Sequence, residues 1–377
     1  MFDSYLSKRR FQNFKSNKRA YWSLIIFCSL FFISLFSEII ANERPLLVKF
    51  QNNYYFPFIN FYSEETFGGD FKTEAIYKDK EVQCLIISDG NTECWDYPEE
   101  VINEIESNSE NFNKSWIIWA PIPYSYNTIN DLERAAPSPP DQKHWLGTDD
   151  TSRDVLARIL YGFRLSVFFA IVVTLISSII GIAAGAIQGF FGGWIDLIFQ
   201  RLIEVWGATP SLYIIIIVAA ILQMNFWLLV LLLSLFSWTA LVGVVRAEFL
   251  RARNFEYVRA ARALGVSNFV IMFRHILPNA MVATITMLPF IITGSIGSLA
   301  ALDFIGYGLP SSYPSLGELT LQAKNNLQAP WLGFSAFITF ALMLSLLVFI
   351  FEGITDAFDP RKIFKCVILF YQLKTYL

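Results

Sequence analysis

Five stretches of this chain contain no charged residue for longer than any ordinary buried element requires, and they limit what it can fold into. Ala20–Ser37 is free of Asp, Glu, Lys and Arg for 18 residues, Leu165–Ile195 for 31, Val205–Val245 for 41, and Ile276–Leu302 and Asn325–Phe351 for 27 each. A helix crosses the roughly 30 Å hydrocarbon core with about 20 mostly apolar residues. The 41-residue run is too long for one crossing. Pro210 near its start and Gln223-Met224-Asn225 in its middle divide it into two helices joined by a tight turn. The pattern predicts six spans, at roughly 21–41, 166–190, 206–223, 226–245, 280–301 and 331–351.

Composition then excludes several classes. Only 16% of residues are charged, against about 25% in a soluble domain, and the net charge of −3 offers no polyphosphate footprint. Nucleic acid is therefore not an expected partner, whereas membrane lipid is. No Walker A loop, GxSxG or HExxH is present, and the two histidines, His144 and His275, fall on opposite sides of the membrane in this topology. No catalytic residue and no metal site are expected. Glu38, Glu204 and Glu352 sit only at span ends, so the buried coupling carboxylates of a secondary carrier are missing too.

Lys and Arg orient the spans. Residues 1–20 carry Lys8, Arg9, Arg10, Lys15, Lys18 and Arg19, and 246–279 carries Arg246, Arg251, Arg253, Arg259, Arg262 and Arg274. Both segments, with the tail 352–377, are placed in the cytoplasm, and the first apolar stretch, 21–41, reads as an uncleaved anchor. Arg153, Arg158 and Arg164 would lie outside and break the rule.

The region 42–164 holds 21 of the 32 acidic residues against 11 basic ones. Its Tyr, Trp and Phe content predicts a folded external insert. Cys84 and Cys94 bracket Asp89-Gly90, a hairpin signal that would bring them face to face, as a disulfide or as two buried thiols. At its end, Asp149, Asp150 and Thr151 precede a stripe of Val155, Leu156, Ile159, Leu160 and Phe163. This predicts a capped helix lying at the interface before span two, or alternatively an extension of that span.

The segment from Phe255 to Pro278 holds the functional signal. Phe255, Val258, Ala261 and Leu264 recur at threes between arginines, Gly265 ends a helix, Ser267 can cap the next, and Pro278 opens span five. By composition alone this is either a docking surface for another protein or a basic loop that only enforces topology.

Arg259-Ala260-Ala261, three residues, Gly265, nine residues, then His275-Ile276-Leu277-Pro278 resembles the EAA motif of ABC-importer permeases, with Arg259 in place of the Glu and His275 in place of an Ile. His144–Ser166, Gln188–Gly193, Phe304–Pro310 and Pro314–Glu318 are similar to segments of the dipeptide and oligopeptide permeases, and the long insert resembles that of microcin C permeases. The likeness covers about 1–362, fits poorly over 81–113, and leaves 363–377 outside.

The resemblance implies an all-α integral membrane protein with six transmembrane helices, the type I ABC-importer permease (MetI-like) fold, and a permease core at 165–351. It implies an inner-membrane, multi-pass subunit forming half of a path for peptides or peptide-like solutes. The implied partners are a second permease subunit in a heterodimer, two ATP-binding subunits and an extracytoplasmic solute-binding protein. ATP and Mg would sit on the ATPase, with no cofactor in this chain. Arg259, Ala260, Ala261, Gly265, His275, Leu277 and Pro278 would form the ATPase-coupling loop. Path-lining residues are not named by it; Gln188, Thr293, Ser295 and Ser298 are polar wall candidates, and Pro210 and Pro289 candidate kinks. A channel or secondary carrier, and a membrane sensor with an external domain, are the alternatives.

Overall fold

A computed structural model of the chain describes residues 5–107, 115–131 and 134–358. The tail expected at 352–377 lies outside the described residues beyond 358, as does its divergent end at 363–377.

In chain order the elements are α1 (Tyr5–Ser16), α2 (Lys18–Leu35), β1 (Leu47–Phe50), β2 (Asn53–Tyr55), α3 (Lys80–Ile87), α4 (Pro98–Ser107) and β3 (Trp116–Ile118). Then follow α5 (Val155–Phe191), α6 (Gly193–Ala208), α7 (Ser211–Ile221), α8 (Phe226–Ser237), α9 (Thr239–Ala252), α10 (Glu256–Ala263), α11 (Leu277–Phe304), α12 (Leu316–Asn325) and α13 (Pro330–Phe358). Among the described residues five continuous helical stretches are long and apolar enough to span: α2, α5, Phe226–Ala252, Asn268–Phe304 and α13. The sixth candidate is the pair α6 and α7, bent by 65° at Thr209-Pro210. Pro210 has no N–H to continue the ladder and forces its predecessor out of the helical region. The expected third span at 206–223 is thus the second half of a broken one.

The chain divides into two compact units. The first comprises 1–31, 163–321 and 336–377, and the second 32–162 with 322–335. In the first unit a glycine seam decides the packing. Gly181, Gly185 and Gly189 recur every four residues along α5 and so share one face. A Cβ on Gly181 would meet the Trp238 carbonyl oxygen at 2.6 Å, and one on Gly185 would meet the Val242 carbonyl oxygen and Val245 Cβ at 2.8 Å. One on Gly189 would meet the Arg246 carbonyl oxygen at 2.6 Å. With no hydrophobic drive between helices in lipid, such close backbone approach supplies the dispersion contact that holds them. Elsewhere in this unit, Asp303 accepts hydrogen bonds from the Leu309 amide at 2.7 Å and from the Ser315 hydroxyl, folding the Phe304–Pro310 segment about one carboxylate.

The second unit includes a sheet of order β2-β1-β3, both pairings antiparallel. Gln51 and Asn52 take φ of 47° and 63° in the two-residue turn joining β1 to β2, the primed geometry that matches strand twist. One face of the sheet packs on Phe67, whose ring lies 5.5 Å from Phe50, 5.4 Å from Tyr55 and 5.8 Å from Tyr77. Cys84 and Cys94 are joined by a disulfide, with Cα atoms 5.5 Å apart, in a cluster with Leu85 and Val101. The strand hairpin expected around them is absent. Cys84 lies in α3 and Cys94 in a short 3-10 turn, and Asp89 and Gly90, at φ of 58° and 93°, make the reversal between helices. The turn signal was sound, but its flanks, Val82-Gln83-Cys84-Leu85-Ile86, bury at helical spacing.

The separate interfacial helix expected near 149–164 is also not found. Val155–Phe191 is a single helix of 37 residues, about 55 Å at 1.5 Å per residue. Its cap is Asp154, whose Oδ1 accepts from the Ala157 amide at 2.8 Å, rather than Asp149, Asp150 or Thr151. The first two turns cannot float at an interface because several of their faces are covered: Val155, Ala157, Arg158 and Tyr161 are all buried.

Asp149 organises the turn before that helix instead. Fully buried, it accepts from the Thr151 and Arg153 amides at 2.9 Å and from Arg153 Nε at 2.8 Å, while Arg158 Nη1 lies 3.6 Å away. Gly147, at φ 76°, passes close under Trp331, whose indole N–H donates to the Thr148 carbonyl at 3.2 Å.

Candidate functional site at the loop between the fourth and fifth spans

The loop begins where α9 runs out at Ala252 and turns through Arg253–Phe255 into α10. Val258 and Ala261, three apart on α10, point inward with Val245, Phe249, Ile271, Met272, Ile276 and Ala280. Phe255 and Leu264 do not share that face. Steps of three advance 300° each, so nine residues carry Leu264 to the side opposite Phe255. The expected four-residue stripe is therefore two inward and two outward residues. Leu264 is 83% exposed, at the tip of the loop.

Gly265 closes α10 with a Schellman cap. Its φ is 77°, its amide donates to the Arg262 carbonyl at 3.0 Å, and the Val266 amide donates to the Ala261 carbonyl at 3.1 Å. Val266 packs on the cluster that holds Ala261, the apolar contact that accompanies this motif. No atom lies within 4 Å of the space a Cβ would take on Gly265, so the glycine is required by backbone angle alone. Ser267 stands at the next N-cap position but makes no side-chain cap bond.

Pro278 does not begin the fifth span. A helix runs unbroken from Asn268 to Phe304, with a π turn at Ile271–Ile276 just before the proline. The Leu277 amide donates five residues back, to Met272. Widening the turn by one residue accommodates the missing N–H and the ring of Pro278 without ending the helix. Pro289 likewise lies inside α11.

Of the residues singled out in sequence, Arg259, Ala260, Gly265 and Pro278 are exposed, Ala261 is buried, and His275 and Leu277 are half-buried. Ala261 and Leu277 meet on the same core cluster, whereas Arg259 and Ala260 face outward. Among the polar wall candidates, Gln188 is buried, and Thr293 and Ser295 bond the Pro289 and Ile291 carbonyls of their own helix at 2.9 and 2.7 Å. These last two are spent on local helix bonds.

Several residues at this end are not evident from the motif. Arg246 Nε and Nη2 grip Asp196 of α6 at 2.6 and 2.7 Å, a two-pronged ion pair across 50 residues. Arg253 reaches the Gly189 and Phe190 carbonyls at the end of α5, each at 3.5 Å, and the Arg262 guanidinium lies 5.0 Å over the Phe190 ring. The Phe269 and Phe273 rings lie 4.4 Å apart, tilted by 37°, and are both exposed. An aromatic pair four residues apart in a basic loop was the available signal. The loop is thus a short rigid helix pinned at its base to three spans, presenting Leu264, Arg259, Ala260 and the Phe269–Phe273 pair outward.

Comparison with known proteins gives a consistent set of matches. Residues 178–364 match the family described as binding-protein-dependent transport system inner membrane component. The chain is similar to the peptidoglycan transport system permease protein YejE of Agrobacterium fabrum, at 50% identity over 95% of this chain and 94% of that one. It is similar to the inner membrane ABC transporter permease protein YejE of Escherichia coli K12, at 51% identity over 95% of this chain and 98% of that one. An oligopeptide transport system permease protein OppC of Lactococcus lactis is 35% identical over 63% of this chain and 82% of its own length.

Proposed function

We propose a role that starts from membership: the chain belongs to the family of binding-protein-dependent transport system inner membrane components, as an ABC-transporter permease subunit with the type I importer fold. It is a membrane component and not the catalytic one. Its path serves peptides or peptide-like solutes, the class in which its relatives' names fall: peptidoglycan for one and oligopeptides for another. The remainder of the machine is our reading: a second permease chain, two ATP-binding subunits that hold ATP and Mg, and an external solute-binding protein.

In this reading ATP binding closes the ATPase pair, and the loop from Phe255 to Pro278 carries that movement to the spans. The observation that carries it is Leu264, 83% exposed at the end of a helix whose Val258–Ala261 face is buried against the ends of the membrane helices. A docking surface needs both an exposed anchor and a stiff connection to what it moves. A π turn beside Pro278 lies on that connection, and such turns recur at functional sites. The path then alternates between inward-facing and outward-facing states, two arrangements biased by a remote ligand.

Orientation follows with this loop in the cytoplasm. The disulfide favours an oxidising compartment for the insert. Phe14 and Ala20 pack with Ala357, which supports the start of α2 and the end of α13 lying on one face of the membrane.

The test is transport by the reconstituted importer carrying Gly265→Val. A β-branched residue at φ 77° costs about 1–3 kcal/mol locally, enough to disorder the cap while the core stays folded. Uptake is expected to fall at least tenfold while the subunit remains in the membrane at normal level. Unchanged uptake would refute the coupling assignment.

A further inference from the structure

We propose that a recess between the end of α5 and α10 binds the phosphate headgroup of an anionic membrane lipid. It has a volume of about 510 Å³ and is lined by Phe190, Phe191, Arg253, Asn254, Arg262 and Asn268. Two guanidiniums and two carboxamides converge on one small space over an aromatic floor. Of the nearby carboxylates, Asp196 is held by Arg246 and Glu248 by Arg251, and Glu256 at the start of α10 makes no ion pair with either recess arginine among the described residues. Among the described residues no carboxylate lies within ion-pair distance of Arg253 or Arg262. Arg253 has only two long bonds, both from Nη1 to carbonyl oxygens, so most of its donor fork points elsewhere. Gly192 helps build the site. Its φ is 64°, and its missing Cβ leaves the space into which the Arg253 guanidinium fits.

Location selects the anion. The Phe191 wall continues into Trp194, which is 80% exposed, and on to Ile195, Leu197 and Ile198, all exposed. α6 buries none of its residues. A tryptophan at the end of a helix whose apolar residues are largely exposed marks the level of lipid headgroups. An acyl chain along α6 would thus deliver its headgroup to the recess. Arg262 is turned toward the Phe190 ring on α5, away from the exposed Leu264 tip that a docked protein would cover. Basic pockets between membrane helices on the cytoplasmic side take acidic headgroups, and the planar guanidinium fork matches phosphate oxygens.

The experiment uses the importer complex purified through a tag on this chain. It is delipidated in mild detergent, exposed to vesicles of phosphatidylglycerol and phosphatidylcholine in equal parts, and read by native mass spectrometry for retained lipid. Phosphatidylglycerol should be retained about tenfold over phosphatidylcholine, and Arg253→Gln with Arg262→Gln should abolish the preference. Arg262→Lys should keep part of it, since charge remains but the fork is lost. Should the double variant fail to assemble, Asn268→Asp decides. An acidic residue is favourable in the first turn of a helix, so the fold is kept while phosphate is repelled, and the preference should drop. Equal retention of both lipids, or no change in Asn268→Asp, overturns the proposal. So does full competition by millimolar inorganic phosphate, which would make the ligand a free anion. Retention only after the ATP-binding subunits are stripped away would make the recess a protein contact, and would also overturn it.

Discussion

Two of the arginine clusters in this chain are handled in opposite ways. Arg153 and Arg158 are buried around Asp149, which is itself fully buried, so their charge is answered inside the protein. Arg253 and Arg262, with Arg259 beyond them, stand at the loop end of the spans with no carboxylate in ion-pair distance among the described residues. A count of Lys and Arg near span ends treats both clusters alike. The difference shows that the count is informative only for charges left to solvent or lipid. The cluster that breaks the positive-inside pattern in sequence is part of a folded ion-pair network. The one that obeys it is left facing outward.

Asp149→Asn should break the first cluster with the largest effect in the molecule. Two guanidiniums would lose their buried counter-charge, at a cost of about 3–5 kcal/mol. Protease sensitivity of residues 115–162 in membranes should rise sharply, and an unchanged digestion pattern would show that Asp149 does not hold the network. Next, reducing the Cys84–Cys94 bridge, or Cys84→Ser with Cys94→Ser, should cost about 3 kcal/mol through the loop it closes. The effect should be confined to the second unit. Hydrogen exchange of α3 and α4 should accelerate while that of α9 does not.

Gly185→Leu tests the other unit. A side chain forced against Val242 and Val245 should cost about 1–3 kcal/mol and lower the melting temperature of the detergent-purified chain, with the disulfide intact. The smallest effect is a pH dependence. Lys78 lies 4.1 Å over the Tyr124 ring and donates to Asn130 at 3.2 Å, and burial pushes its pKa down to about 8. Its folded pKa is below the unfolded one, so between pH 8 and about 10 the unfolded chain binds more protons, and stability rises with pH. Hydrogen exchange of residues 115–131 should slow over that window relative to the intrinsic rate, and Lys78→Met should remove the slowing.

The spans were legible because hydrocarbon leaves the sequence little choice: a charge-free run of 27 residues such as Asn325–Phe351 has to be a membrane helix. Their ends were not, because helices such as Val155–Phe191 and Asn268–Phe304 continue into protein, where polar residues are tolerated when paired. Gly265 was readable as a helix stop because its chemistry is local. The stripe through Phe255 and Leu264 misled because spacing by threes resembles a face over two steps and leaves it by the third. The joining of 322–335 to the second unit, through Gln322, Trp331 and their neighbours, is a long-range fact with no local signal. The Gly181, Gly185 and Gly189 seam was visible in principle, as glycine at every fourth position of an apolar helix.

The central claim is that the Leu264 tip touches the ATP-binding subunits. It is tested most directly by Leu264→Cys and a short bifunctional thiol reagent in membranes holding the assembled importer, with the unsubstituted chain as background for the native cysteines Cys28, which is exposed and free, and Cys366. A crosslink to an ATP-binding subunit that changes in yield when ATP is added is the predicted result. No crosslink at any nucleotide state, in an importer that still transports, would contradict the account.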